Sequence, residues 1–594
     1  MAKRKWRWAA LIVPPLLMLV MGSALALRLT RGEAHPETSL IEQARRSLLR
    51  GDGIDAEVKL RAALLQGAAR AEIAPFMGQA YLAQGDRSRA RQWLQTGAFA
   101  PSTAGEGWRA LGFLERIDGN LEASARAYDK ALTIRPDDAS LWVELGRLRY
   151  VAGDHGRAIA AAERAITLQP DDVRGLEFQG QLVRDRSGLT AALPWFERAI
   201  AAAPSDVSAL LEYAATLGEL GRASECLQIT RRALELGSGN PRAYYLQALI
   251  AARAGRYPLA RALLIRTGGR LDDRPGVQLL KGSLELASGN PGAAEEALEA
   301  VLRARPDHRA AKEMLLRAIA MSGRHRYATM RFADEIAGGG ASPYMMTAVA
   351  RAFEALGDRK AAGELLERAA RPPAFSLRVQ ASAGRLGGML RAGRGQAALA
   401  LAEAALRRAP GSYDARSVAG DVQLALGHGK KAQARYALAS EIRMPDSLLE
   451  RRLAAYAMAG DRSGAEALLQ AYLRQNPTSR AAMRLAAELA SRSGDPDSAR
   501  AALLRLRADG REQDVTLLSN LAAAETAMEN PGAAREAAWR AYRLQRSSPV
   551  AAEALAMAYA ASPRHAAMVR ALRAKAGLVG NKPAAASPPG ALPP

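Results

Sequence analysis

Residues Trp108 to Pro136 read WRALGFLERIDGNLEASARAYDKALTIRP. The stretch holds two amphipathic segments around one turn. Gly119 ends the first segment, since the residue after a helix commonly takes a positive φ. Asn120 stands where it can cap the second. Pro136 closes the unit, because proline cannot continue a helix and pushes its predecessor out of helical geometry. The next 34 residues repeat the design, with Trp142, Leu145, Gly146, Gly153, Ala158, Ala165 and Pro170 in the same order.

Working outward, the turn recurs at Gly51, Gly85, Gly119, Gly153, Ser187, Gly221, Gly255, Gly289, Gly323, Gly357, Gly393, Gly427, Gly460, Gly494 and Glu529. Eleven of the fourteen intervals are 34 residues, and the others are 33, 35 and 36. The fifth position after the turn is alanine in thirteen units and Ser124 or Cys226 in the other two. A position held this small marks the close crossing of two helices. Cys226 is thereby an alanine substitute in a packed seam. Seven residues before the turn, Gly78, Gly112, Gly146, Gly180, Gly282 and Gly420 recur, with alanine in six further units. The two small columns are expected to face each other across the hairpin. Nine residues after the turn stand larger side chains, such as Leu94, Tyr128, Phe196, Leu298 and Tyr436, expected to fill the gap between neighbouring hairpins. Proline falls seventeen residues after the turn at Pro136, Pro170, Pro204, Pro306, Pro410 and Pro477.

These columns resemble the tetratricopeptide repeat, whose 34-residue pattern of tryptophan, leucine-glycine, alanine, aromatic and proline is met in order. The resemblance covers residues 37–548 and implies an all-α fold: a right-handed α-solenoid of about fifteen helical hairpins, each burying its face on its neighbours. Residues 549–577 read as capping helices broken at Ser562-Pro563. Residues 578–594 form an alanine- and proline-rich tail, expected to be disordered.

The N-terminus departs from the pattern. Lys3, Arg4, Lys5 and Arg7 make a basic N-region over residues 1–7, and residues 8–27 carry no charge. Twenty apolar residues span a hydrocarbon core of about 30 Å as a helix. The basic flank favours the cytoplasm, so the repeats would lie in the periplasm, joined by a linker at 28–36. Two readings stay open: a retained single-pass inner-membrane anchor, or a signal peptide cleaved near Ala26 that leaves a soluble periplasmic protein.

The formal net charge is +23. It is read either as attraction to an acidic partner or as arginines spread over solvated helix faces. The chain offers no P-loop, no G-x-S-x-G elbow and no dinucleotide fingerprint between strand and helix. Its six histidines are scattered without metal-ligand spacing. No catalytic residue, cofactor or metal is expected, and no nucleic acid, since no basic-aromatic module appears.

The resemblance implies that first helices line a concave face. Positions thirteen, ten, six and three before each turn share one helix face. They place Glu106, Arg109, Phe113 and Arg116 in the third unit, Ser140, Val143, Arg147 and Tyr150 in the fourth, and Arg174, Glu177, Gln181 and Arg184 in the fifth. Arg317 and Arg351 match them in the ninth and tenth. The candidate groove is Arg109, Phe113, Arg116, Arg147, Tyr150, Gln181, Arg184, Arg317 and Arg351, for acidic or extended protein segments or a polyanionic glycan. The competing view is that these arginines are solvated or pair with Glu106 and Glu177. The function expected is a non-catalytic scaffold of the cell envelope, in an assembly or secretion machine. By resemblance, long exported bacterial repeat proteins serve exopolysaccharide synthesis and export. The alternative is a direct binder of an acidic polysaccharide or anionic lipid.

Overall fold

The computed structural model describes residues 39–338, 341–370, 385–508, 514–546 and 548–578. The anchor or signal segment at 8–27 and the tail beyond residue 578 lie outside the described residues. Those residues form α-helices joined by short turns, with one 3-10 turn at Pro563–His565 and no strand among them. The chain is a solenoid of helical hairpins. It divides into two compact units, one up to Leu141 and one from Trp142 on.

The turn column reads out in the backbone. Thirteen turn glycines take φ between +67° and +84°, and Glu529 adopts φ +55° without glycine's freedom. The fifth turn departs from expectation. The helix Val173–Ser187 runs through Ser187, and Gly188 one residue later takes φ +106°. Proline acts as expected: the helices Leu121–Ile134, His155–Leu168 and Leu189–Ala202 each end two residues before one. Asp52, Asp86 and Asp461 cap the helices they precede. The asparagines do not. Asn120, Asn290 and Asn530 instead donate their amides to Glu115, Glu285 and Glu525, five residues back, at 2.8–3.0 Å.

All fifteen members of the small column are at most 4% exposed. Ser124 donates its hydroxyl to the Gly112 carbonyl at 2.6 Å, so the two small columns do meet. The larger side chain nine residues after the turn has a different place from the one expected. It lies on the glycine of its own hairpin: a Cβ built on Gly78, Gly112, Gly180, Gly282 or Gly420 would stand 2.4–2.8 Å from Leu94, Tyr128, Phe196, Leu298 or Tyr436. The small residue is therefore a socket, and the large one its knob. In the fourth hairpin the knob position is Ala162, and Phe178 of the next helix fills the socket at Gly146 instead.

The second unit also meets itself far along the chain. Gly156 N–H donates to the Gly411 carbonyl at 3.1 Å, and Met444 N–H to the Asp185 carbonyl at 2.8 Å. Thr478 donates its hydroxyl to the Glu219 carbonyl at 2.7 Å, across 259 residues. Three successive hairpin turns thus meet three successive loops between later hairpins. The displaced glycine belongs to this seam: a Cβ on Gly188 would meet the Gln475 Cβ at 2.7 Å. Asn476 Oδ1 accepts from Leu189 N–H at 3.3 Å, giving that helix the cap its own sequence lacks.

The sockets predict opposite outcomes for one substitution. Gly420→Ala drives a methyl against a Tyr436 ring held by a 2.7 Å hydrogen bond to buried Asp421, so it should cost about 1–3 kcal/mol. Gly363→Ala, in the helix Arg359–Ala370 with open space at its Cβ, should gain about 0.5–1 kcal/mol. Urea unfolding of the two variants checks the sign of each.

Candidate functional site

Within the first unit, the helix Ala104–Ile117 carries Arg109, Phe113 and Arg116. Arg109 reaches the carboxylate of Asp138 at 3.8 Å. Glu106 on the same face accepts from Arg135 at 3.2 Å. Phe113 and Arg116 point outward. The Arg116 guanidinium stacks 4.8 Å above the Phe113 ring, and Phe113 keeps 38% of its surface exposed. A cation lying on an open aromatic face presents charge and apolar area together.

In the second unit Arg147, Gln181 and Arg184 are committed to their neighbours. Arg147 binds Glu177 at 3.2 Å, and Glu177 also accepts from Gln181 at 3.3 Å and Ser208 at 2.9 Å. Arg184 binds Glu212 at 3.1 Å and the Thr216 hydroxyl at 3.3 Å. Arg242 closes on the same Glu212 from the following hairpin. Arg174 turns back to Glu144 at 3.4 Å. The result is a ladder in which each rung joins one hairpin to the next. Burial raises the Glu212 carboxyl, but Arg242 and Arg184 outweigh it and hold the group below its ordinary range. Arg317 is exposed on the helix Arg309–Met321. Arg351 is exposed and reaches the Leu544 carbonyl at 3.5 Å. The structure therefore brings Arg147, Gln181 and Arg184 into one ladder and leaves Arg317 and Arg351 outside it.

Tyr150 belongs to the seam. Its hydroxyl donates to Asp185, and its ring meets the edge of His155 with centroids 4.9 Å apart. His155 is buried, and its Nδ1 accepts from Tyr413 N–H at 3.3 Å across 258 residues. Arg443 lies 4.9 Å above the Tyr413 ring. His155, Tyr413 and Arg443 escape a reading based on the 34-residue period, because a contact between distant repeats leaves no periodic mark. The one signal available is glycine out of register at Gly156, Gly188 and Gly411. Burial and Arg443 push the His155 pKa down, against weaker upward pulls from Asp414, the Gly153 carbonyl and Asp154.

Five carboxylates are buried among the described residues: Glu115, Glu177, Glu212, Asp421 and Glu525. Each is paired with an arginine of another helix, respectively Arg91, Arg147, Arg184 with Arg242, Arg451 and Arg500. Cys226 is buried against Gly218, and burial pushes its thiol up to about 11, which removes thiolate reactivity at neutral pH. No group of three metal-ligating side chains occurs among the described residues. No helix among them is long and apolar enough to cross a membrane.

A stack of two-helix units with small sockets, large knobs and interhelical ion pairs is an α-hairpin repeat protein. Residues 143–207, 209–267 and 279–344 match one tetratricopeptide-repeat family model, and residues 456–525 match another. The chain is a tetratricopeptide-repeat protein. Arrays of this class act as scaffolds for protein–protein interaction. Among solved structures, PilW, a type IV pilus biogenesis factor, is 17% identical; the match covers 36% of this chain and 98% of that one at TM-score 0.30. Pseudomonas aeruginosa pilF is also 17% identical, over 36% of this chain and 97% of that one, at TM-score 0.30. The APC/C hetero-tetramer Cut9–Hcn1 is 11% identical, over 81% of this chain and 96% of that one, at TM-score 0.29. None of them transfers a partner or a pathway. No curated protein matches the sequence.

The ladder predicts that Glu212→Gln destabilises the second unit. The expected loss is about 2 kcal/mol, below the ~3–5 of a fully buried pair because both arginines keep some access to water. Chemical denaturation followed by circular dichroism reads it. The seam predicts a pH effect of definite sign. Folded His155 titrates below its ordinary 6.5, so the unfolded chain takes up a proton first as pH falls. The contact is at full strength above about 6.5 and weakens below it. Hydrogen-exchange protection of the Tyr413 and Met444 amides should fall between pH 7 and 5, and His155→Gln should flatten that profile.

Proposed function

We propose that this protein is a non-catalytic scaffold of the cell envelope, held to the inner membrane by residues 8–27 with its repeats in the periplasm. It gathers components of an assembly or secretion machine, and exopolysaccharide synthesis and export is the setting we favour. The observation that carries the scaffold reading is the state of the buried acids. Each of the five is tied to an arginine of a neighbouring hairpin, so these buried charges serve to hold one repeat on the next. Support for the membrane reading is the charge-free run at 8–27 behind its basic flank.

The contact point we assign to a protein partner is the Phe113–Arg116 pair, suited to an acidic segment with an apolar side chain. Many weak contacts along a long array add by avidity, so no single deep pocket is needed. A second reading, direct binding of a polyanionic glycan, loses force because Arg147 and Arg184 already spend their charge on Glu177 and Glu212.

A photo-crosslinker placed at Ile117, one helical turn from Phe113 and itself exposed, tests this in cells. Phe113→Ala with Arg116→Glu should abolish a specific protein adduct while leaving thermal unfolding unchanged. Arg147→Ala with Arg184→Ala should lower the unfolding temperature and keep the adduct. Retention on an acidic polysaccharide column, lost steeply with salt and insensitive to Phe113, would favour the glycan instead.

A further inference from the structure

The first hairpin, Leu40–Leu49 and Gly53–Leu65, carries an apolar row on the exposed face of its second helix. On its second helix, Ile54, Val58 and Leu65 stand three, seven and fourteen residues after the turn and are 69%, 61% and 90% exposed. Leu49, at the end of the first helix, is 88% exposed. That spacing sets Ile54, Val58, Arg61 and Leu65 along one helical stripe. The same three positions hold Glu122, Arg126 and Thr133 in the third repeat, Ser224, Gln228 and Glu235 in the sixth, and Gly292, Glu296 and Arg303 in the eighth. The sockets and knobs of the first hairpin are conventional: Ala44, Ala56 and Leu60 are fully buried. Its apolar stripe is therefore surplus to the packing of the array.

We propose that this stripe is a membrane-interface contact, on which the first hairpin lies against the lipid head groups and dips Ile54, Val58 and Leu65 toward the acyl chains. The proposal rests on the membrane reading above. Its occupant follows from continuity along the chain. The charge-free segment ends at Leu27, and twelve residues separate it from Leu40. A linker of that length spans at most about 40 Å fully extended, so the hairpin cannot leave the neighbourhood of the bilayer. At such an effective concentration, three or four apolar side chains suffice for a contact too weak to bind a membrane unaided. Arg61 divides the stripe between Val58 and Leu65 and pairs with Glu57 at 2.7 Å, and Arg50, just past the end of the first helix, pairs with Asp55 at 3.6 Å; both arginines stay exposed. Their long stems allow the charged ends to rise to the phosphates while the apolar residues sink. Docked in this way, the first hairpin fixes the angle at which its unit leaves the membrane.

The experiment uses the full chain reconstituted in phosphatidylethanolamine–phosphatidylglycerol nanodiscs, with Cys226→Ala as background. Single cysteines at Leu17, Ile54, Val58, Leu65 and Arg126 carry nitroxide labels, and accessibility to oxygen and to a nickel chelate gives depth. The expected result is Leu17 in the hydrocarbon, the three stripe positions at the head-group boundary, and Arg126 in water. Nickel accessibility at the stripe should be several-fold below that at Arg126. Leu17 in lipid with the stripe fully open to nickel overturns the docking and leaves the anchor standing. Leu17 in water overturns the anchor and the docking with it. A stripe shielded from both reagents, in nanodiscs and equally in detergent, means that protein covers it, from residues 1–38 or a second copy, and also overturns the proposal.

Discussion

Everything in this fold depends on how closely two helices can cross. Where Ser124 meets Gly112 its hydroxyl reaches the glycine's carbonyl, and where Ala158 meets Gly146 the Ala158 carbonyl would stand 3.3 Å from a Cβ on the glycine. That approach leaves a socket just wide enough for the flat side of a tyrosine, a phenylalanine or a leucine from the same hairpin. A solenoid has no central core, so each hairpin must be internally complete before it can bury its remaining face on a neighbour. The crossing supplies that completeness. It also sets the tolerance of the whole array, since a larger residue at one crossing tilts that hairpin and every interface after it.

This constraint is local and periodic, which is why so much of it is legible in the amino-acid sequence. A glycine turn, a small residue five later and a proline seventeen later are each demanded by geometry within a single unit. The error over the large column is equally physical. Tyr128 stands nine residues after its turn and reads as a filler between hairpins, but a period fixes a residue's place in its unit and not which of two adjacent gaps its side chain enters. The fourth hairpin shows both gaps in use, Phe178 crossing from the next repeat because Ala162 is too small for the socket. The asparagines misled for a different reason. Asn120 and Asp86 occupy the same position, but only an amide can donate, and a glutamate four residues before the turn makes donation the better bargain at Asn120.

The candidate groove was legible as a face and not as a surface. Arg147, Gln181 and Arg184 do share one, but side chains on adjacent repeats are also each other's nearest partners. The sequence pattern that lines up arginines lines up glutamates beside them, and the pairs form first. A net charge of +23 therefore overstates the field that a ligand meets along these repeats. At Arg116, by contrast, the charge is set on the open face of Phe113.

The seam between distant repeats was not legible from the period, and it changes what the second unit can do. A stack held only by neighbour contacts is elastic, because small rotations at each interface add along its length. Hydrogen bonds at Gly156, Asp185 and Glu219 to partners more than 250 residues away bind those rotations together. Gly188 leaves its regular place to let the chains approach, and Asn476 repairs the helix end exposed there. Backbone donors and acceptors on both sides are consumed, so the contact is a structural brace with groups matched one to one. A unit braced in this way resists bending around a single ligand. It suits the presentation of several partners at fixed spacing, which is the physical difference between a clamp and a scaffold.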